Sequence, residues 1–417
     1  MTSRKKIAII GSGISGLSAA YYLKDKYQIT LHEIESRLGG HSRTIRINDH
    51  IDVDTGFIVL NDRTYPYLNK LFTELGIDLD KTEMSFAISV NEGELEWAGT
   101  SIDSLFAQRK NIFNLEMLKG IFDILKFNKQ ALAIVKNFPS ISLKKLIDEM
   151  RLGAWFENYY LLPMGGAIWS CSLALMLDFP AANFINFFDH HGLLNITNRP
   201  QWYSLKNKSI SYVNILENEI NKNAKIVKNS AINSITRSDN LVQIERENNE
   251  VEVFDEIIFA INPEEILKIL KDPNEAEKNT LAKFSRQKNI AYTHSDISQM
   301  PKLTKCWSSW NYICQKDIAA HRVCVTYWMN KLQHIDSSFP LFVTLNPISE
   351  INPDKIFDIH EFYHPVYNHH SASGQIEIDK LQGINQTWFC GAYLGNGFHE
   401  DGISSTIKII NKMDQKR

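Results

Sequence analysis

The chain has 417 residues, a net charge of −3, and 44% hydrophobic and 11% aromatic residues. That is ample for two domains, or for one with a large insertion, and it excludes a nucleic-acid binder, since no basic arm or Lys/Arg tract stands out. Cys171, Cys306, Cys314, Cys324 and Cys390 are an odd, scattered set without CxxC, which suits buried thiols in a reduced, cytoplasmic protein.

No cleavable apolar leader precedes the first apolar run, and no stretch reaches the roughly 18 apolar residues of a membrane span. Residues 7–10 read as a buried parallel strand, and Gly11-Ser12-Gly13-Ile14-Ser15-Gly16 as its turn into a helix over 17–23. Gly11 permits the sharp turn, Gly13 opens the backbone amides to a pyrophosphate, and Gly16 lets the helix pack closely on the sheet. Ser15 lies in the same cradle, where a helix N-terminus offers unpaired N–H groups and a positive dipole end to phosphates. Residues 29–33 form the second strand. Glu33, 22 residues after Gly11, stands where an acid accepts from ribose hydroxyls. Arg37, Gly39 and Gly40 extend the motif beyond what a simple nicotinamide dehydrogenase needs, which points to FAD.

Residues 65–75 and 142–150 are amphipathic at helical spacing. Between them, residues 109–145 carry Leu115, Leu118, Phe122 and Leu125 on one helical face and Lys119, Asp123, Lys126 and Gln130 on the opposite one. Basic residues outnumber Glu116 and Asp123 there. Either the helix packs on its own domain with a solvated basic face, or the segment makes a peripheral contact with an anionic membrane. Val227, a hairpin-like stretch and the apolar run 256–261 fit a strand returning to the adenine side. Residues 323–328 and 341–345 are β-branched and aromatic, as in a sheet that walls a cavity. His360-Glu361-x-x-His364 with His369 and His370 matches no standard metal spacing, so no metal is assigned. Residues 387–392 form a strand running into Gly391, and residues 401–405 open the last helix.

From Gly11 through Glu33 to Gly40, together with residues 256–263 and 387–405, the pattern resembles the flavin amine oxidase and phytoene desaturase superfamily. The resemblance implies an α/β fold. A discontinuous Rossmann-like FAD-binding domain would span 1–60, 205–263 and 381–417, with an α+β substrate domain over 61–204 and 264–380. It also implies that the helix opened by Asp401, Gly402 and Ile403, beside Gly391, points at the flavin and stabilises its reduced form. The run Asp52-Val53-Asp54-Thr55-Gly56-Phe57 is similar to a bacterial subgroup of flavoproteins found with cyclopropane-fatty-acyl-type methyltransferases. So are His191-Gly192-Leu193-Leu194, Trp307-Ser308-Ser309-Trp310 and Gly397-Phe398-His399-Glu400-Asp401. That closer likeness implies cofactor contacts at Gly56 and Phe57, a methyl-branched unsaturated fatty acyl substrate, and a lipid methyltransferase partner. One departure is at Ser209, which no glycine pair precedes, so the local backbone is expected to differ.

A flavin desaturation needs hydride delivery to N5 and a positioned base for a proton on a neighbouring carbon. His399, two residues before Asp401, leads the candidates, with His191, Tyr393 and Glu400 behind it. The plainer reading of either histidine is a loop-shaping or packing residue. Trp202, Trp307, Trp310 and Tyr312 are walls for an extended apolar substrate, or simply core. Two other functions stay open. One is an amine oxidase for polyamines or amino acids, although no flavin-side lysine can be assigned and Lys288 is merely near in sequence. The other is a flavin-binding accessory subunit of a lipid methyltransferase that does not turn over.

Overall fold

The computed structural model describes residues 4–170, 176–195, 197–238, 240–315 and 323–415; Cys171 lies outside them. β1 (Lys6–Ile10), α1 (Ile14–Leu23) and β2 (Gln28–His32) open a five-stranded, all-parallel sheet. Its order is Lys225–Val227, β2, β1, Glu256–Phe259, Thr387–Phe389, so three distant stretches of chain meet in it. β1 is apolar on both sides because both faces are covered. Ile7 and Ile9 pack with α1, the helix Lys208–Asn221 and the C-terminal helix, whereas Ala8 and Ile10 pack toward the antiparallel strands Ile232–Ser238, Leu241–Arg246 and Val251–Phe254. Arg237 pins that second layer: its guanidinium, 2% exposed, bridges buried Glu277 at 2.6 Å and donates to Thr387 at 2.9 Å.

The other large sheet has seven strands in the order Ile356–Val366, Ser285–His294, Phe342–Leu345, Cys324–Trp328, Trp310–Cys314, Phe86–Val90, Leu95–Ala98. Its pairs are antiparallel except Trp310–Cys314 with Phe86–Val90. Helices α2 (Leu115–Asn137) and α3 (Ala181–His190) belong to its core. Between the two sheets, Leu60–Asn61 and Leu79–Thr82 both pair with Trp202–Leu205.

Two local expectations are revised. Lys208 holds φ 61°, the left-handed conformation glycine adopts most readily, so the backbone before Ser209 takes a glycine-like path without a glycine. There Ser209 donates its N–H (2.9 Å) and hydroxyl (2.6 Å) to buried Asp54. On α2 the buried residues are Met117, Gly120, Asp123, Phe127, Ala131 and Val135. The stripe Leu115, Phe122, Leu125 therefore faces away from the domain rather than into it.

Candidate active site

A cleft of about 610 Å³ runs from the first glycine loop to the seven-stranded sheet. At its outer end the turn out of β1 places Gly11 at φ 95°, and Gly16 sits so close to it that a Cβ there would lie 1.8 Å from the Gly11 carbonyl oxygen. Gly13 differs: φ is −63°, and a Cβ would meet no atom within 4 Å, standing instead in the open cleft. The N–H groups that open α1 are thus bare toward this space, as an anion site requires. Glu33 lines it too, held by the Ser12 N–H (2.9 Å) and hydroxyl (2.6 Å) and by the Glu35 N–H (2.9 Å).

Several predicted cofactor residues support this cradle from behind instead of lining it. Arg37 donates to the carbonyls of Gly40 (3.0 Å) and Ser42 (3.4 Å) and pairs with Glu35, so its charge shapes the loop. The Gly39 N–H donates to the Ser12 carbonyl at 3.0 Å. Val227 accepts the Glu33 N–H at 2.9 Å. Ser15, Gly40, Gly56, Phe57 and Gly391 do line the cleft.

The last helix, α4 (His399–Gln415), begins at His399 rather than Asp401. Asp401 accepts the Phe398 N–H at 2.9 Å, its carboxyl pushed up to about 6 by burial. A Cβ on Gly402 would lie 2.7 Å from Ile14, and Ile403 is wholly buried in the core. Gly402 and Ile403 thus pack α4 on α1 while Asp401 ties down the turn before the helix, and the residues that this segment offers to the cleft are Asn396, Gly397, Phe398 and His399. Glu400 is also relocated: both carboxylate oxygens accept, at 2.9 Å, from the Tyr67 and Leu68 N–H groups that open the helix Pro66–Glu74. It caps that helix.

A description of an NAD(P)-binding Rossmann-like domain matches residues 9–75. Coproporphyrinogen III oxidase of Staphylococcus aureus (strain NCTC 8325 / PS 47) is 26% identical over 295 residues, 61% of this chain and 60% of that protein's own length. The crystal structure of a CLA-producing fatty acid isomerase from P. acnes superposes with TM-score 0.70 at 15% identity, covering 99% of both chains. Cyclohexylamine oxidase from Brevibacterium oxydans IH-35A superposes with TM-score 0.67 at 13% identity, covering 99% of this chain and 100% of that one. The chain therefore shares the fold of these enzymes along its whole length, and its first segment is similar to a Rossmann-like dinucleotide-binding domain. The cradle suits FAD. Its glycine loop has room for a pyrophosphate, Glu33 lines the space beside it, and the buried hydroxyls of Tyr367 and Tyr393, with the Trp169 indole N–H, line the cleft without a hydrogen-bond partner among the described residues.

Two histidines line the cleft deeper in. His399 stacks on Phe57 (3.8 Å, 13°), and its Nε2 meets the hydroxyls of Ser42 (2.8 Å) and Tyr212 (3.2 Å). His191 donates from Nδ1 to the Phe187 carbonyl (2.9 Å), which leaves Nε2 to accept from the Thr64 hydroxyl (3.1 Å). Phe187 joins the two sites, stacking on His191 at 3.8 Å and on Phe398 at 5.0 Å. Desolvation pushes His399 down to about 3 and His191 down to about 4, so both imidazoles are neutral near neutral pH.

Around them the lining is apolar: Met84, Phe86, Met164, Ile168, Trp310 and Leu345. The ionic side chains of the cleft, among the described residues, are Glu33, Glu35, Glu265 and Arg286. The first two belong to the glycine-loop end, and Arg286 is engaged by Glu264 (2.8 Å) and Glu265. Lys288 lies outside the lining and pairs with Glu361 at 2.5 Å. Trp202 and Trp310 are walls as expected, but Trp307 is tied to the Pro301 carbonyl (2.7 Å) and Tyr312 is core. On the strand Ile356–Val366, His360 and His364 share one face and Glu361 takes the other, and His364 is hydrogen-bonded to Asn289 (2.8 Å). Sequence reasoning missed His41, Met84, Met164 and Tyr367. His41 had a signal, following Gly40 directly; the others had none, because they come from elements far apart in the chain.

Proposed function

We propose that the chain is an FAD-dependent oxidoreductase that desaturates a substrate of the fatty acyl class, whose extended apolar chain enters the inner cleft while its polar head group stays outside. The observation that carries this reading is the inner cleft, which has aromatic and aliphatic walls and, among the described residues, no carboxylate or ammonium. Among the described residues, an ammonium substrate would be buried there without a counter-ion, and a porphyrinogen would bring several carboxylates to a cleft whose one arginine is already engaged. The fatty acid isomerase, which shares the fold, adds support for an acyl chain.

When bound, FAD supplies the acceptor for a hydride leaving one carbon of the chain. The protein's own task is the proton on the adjacent carbon. His399 and His191, neutral and lining the cleft, are the groups placed to take it, and Phe57 and Phe187 hold their rings in plane. Ser42, Tyr212 and Thr64 orient the imidazoles. Tyr393, with its hydroxyl unpartnered, is placed to orient the bound chain or cofactor.

The test is anaerobic flavin absorbance while methyl-branched unsaturated fatty acids or phospholipids, then polyamines and amino acids, then coproporphyrinogen are added. Bleaching by acyl substrates alone is the expected result. Bleaching by an amine or a porphyrinogen would refute the substrate class, and no bleaching by any of them would favour the accessory-subunit reading. With the active substrate in hand, His399→Ala and His191→Ala should slow bleaching while FAD stays bound. Unchanged rates in both would remove the proton-transfer role.

A further inference from the structure

The face of α2 and the turn before it is apolar and uncovered. Phe113, Leu115 and Phe122 are 85%, 80% and 70% exposed, with Ile112 and Leu125 exposed beside them. A lone exposed apolar side chain is ordinary, but a contiguous strip of them marks a surface that something covers. Leu115, Phe122 and Leu125 lie on the side of α2 opposite Met117, Phe127 and Ala131. The rim of this strip is cationic. Lys119, expected on the face opposite the apolar stripe, is instead exposed at its flank, Lys129 is exposed on the same outward side, Lys110 precedes the strip and Lys136 follows it. Of the two acids on α2, Asp123 is buried and accepts the Gly153 N–H at 2.8 Å, so Glu116 alone opposes those lysines along the helix.

We infer that this face docks on an anionic lipid bilayer. α2 lies along the interface with Phe113, Leu115 and Phe122 at the boundary between headgroups and acyl chains, and the lysines rest on lipid phosphates. A second copy of the chain fits the charge less well, because a two-fold contact through the same strip would set lysine against lysine. No helix among the described residues is long and apolar enough to cross a membrane, so the contact is superficial. Behind α2 lies α3, whose Phe187 lines the cleft and which His191 directly follows.

The test is flotation of the holoprotein with vesicles of phosphatidylcholine alone or with an equal part of phosphatidylglycerol. It reads binding without turnover, so it stands whether or not the substrate reading survives. Wild type should float with the anionic vesicles, less so as salt rises. Phe113→Ser with Phe122→Ser should weaken that binding roughly tenfold or more, and Lys119→Ala with Lys129→Ala by about fivefold per lysine. All four positions are exposed, and retained FAD with an unchanged melting temperature shows that the variants fold. The inference is overturned if wild type stays with the unbound fraction, if it binds both vesicle types equally, or if the phenylalanine variant still floats. Sedimentation that shows a wild-type dimer broken by the same two serines would assign the strip to self-association instead.

Discussion

Replacing Gly13 by alanine separates a cofactor contact from a folding requirement. Its backbone, φ −63° and ψ 179°, is open to any L-residue, and the added Cβ meets nothing within 4 Å. The protein without cofactor should therefore lose at most about 1 kcal/mol, the difference between glycine and alanine as an N-cap. The methyl would stand where the pyrophosphate must approach, costing one or two charge-assisted hydrogen bonds of about 1.5–3 kcal/mol each, or roughly 10- to 100-fold in FAD affinity for one bond. Gly16→Ala is the opposite case, since its Cβ would fall 1.8 Å from a backbone oxygen and the fold must give way. FAD titration of the deflavinated protein by flavin fluorescence, beside thermal melts of the same samples, reads both quantities. Gly13→Ala binding FAD within about twofold of wild type, a change under about 0.5 kcal/mol, would refute the placement of the phosphates at this loop.

Three other changes probe the surroundings of the cleft. Glu400→Ala removes the acceptor of two helix-opening N–H groups and should lower stability by about 1–2 kcal/mol in urea unfolding, without slowing flavin reduction. Glu277→Ala leaves buried Arg237 with Asp272 (3.0 Å) as its remaining carboxylate partner and should cost about 1–3 kcal/mol, which a chemical denaturation midpoint measures; a loss within error would show that Asp272 alone satisfies the guanidinium. The histidines set a pH dependence: His191 falls from an ordinary value near 6.5 to about 4 on folding, so its contribution is present above pH 6.5 and is lost as the pH drops toward 4. Melting temperature against pH should therefore decline over that window, and less steeply in His191→Asn.

The FAD cradle was legible in the sequence because its parts are close along the chain. A strand, three glycines, a helix and an acid fall within residues 6–33, and their spacing alone dictates a βαβ turn with bare amide groups. Residues 66–74 and 143–149 were likewise readable as helices from periodicity. The roles of Arg37, Asp401 and Glu400 were not, since motif position shows that a charge is near the cofactor but not which backbone group captures it. Each carries a charge that a neighbouring carbonyl or N–H group satisfies at hydrogen-bond distance.

By itself, then, the sequence determined the dinucleotide-binding loop, the class of fold and the presence of an amphipathic stripe on residues 115–125, all local patterns of spacing and period. Only the tertiary structure decided what surrounds His399, where Ser42, Phe57 and Tyr212 arrive from three separate elements. It likewise decided which way α2 faces. Two stripes on that helix could have been the inner one, and the choice fell to Gly120, where the Trp155 ring lies 2.1 Å from where a Cβ would be, and to Asp123, whose carboxylate is satisfied by the Gly153 N–H. A helical period marks a face as apolar, but only the shape and hydrogen-bonding groups of the partner surface determine which face is buried.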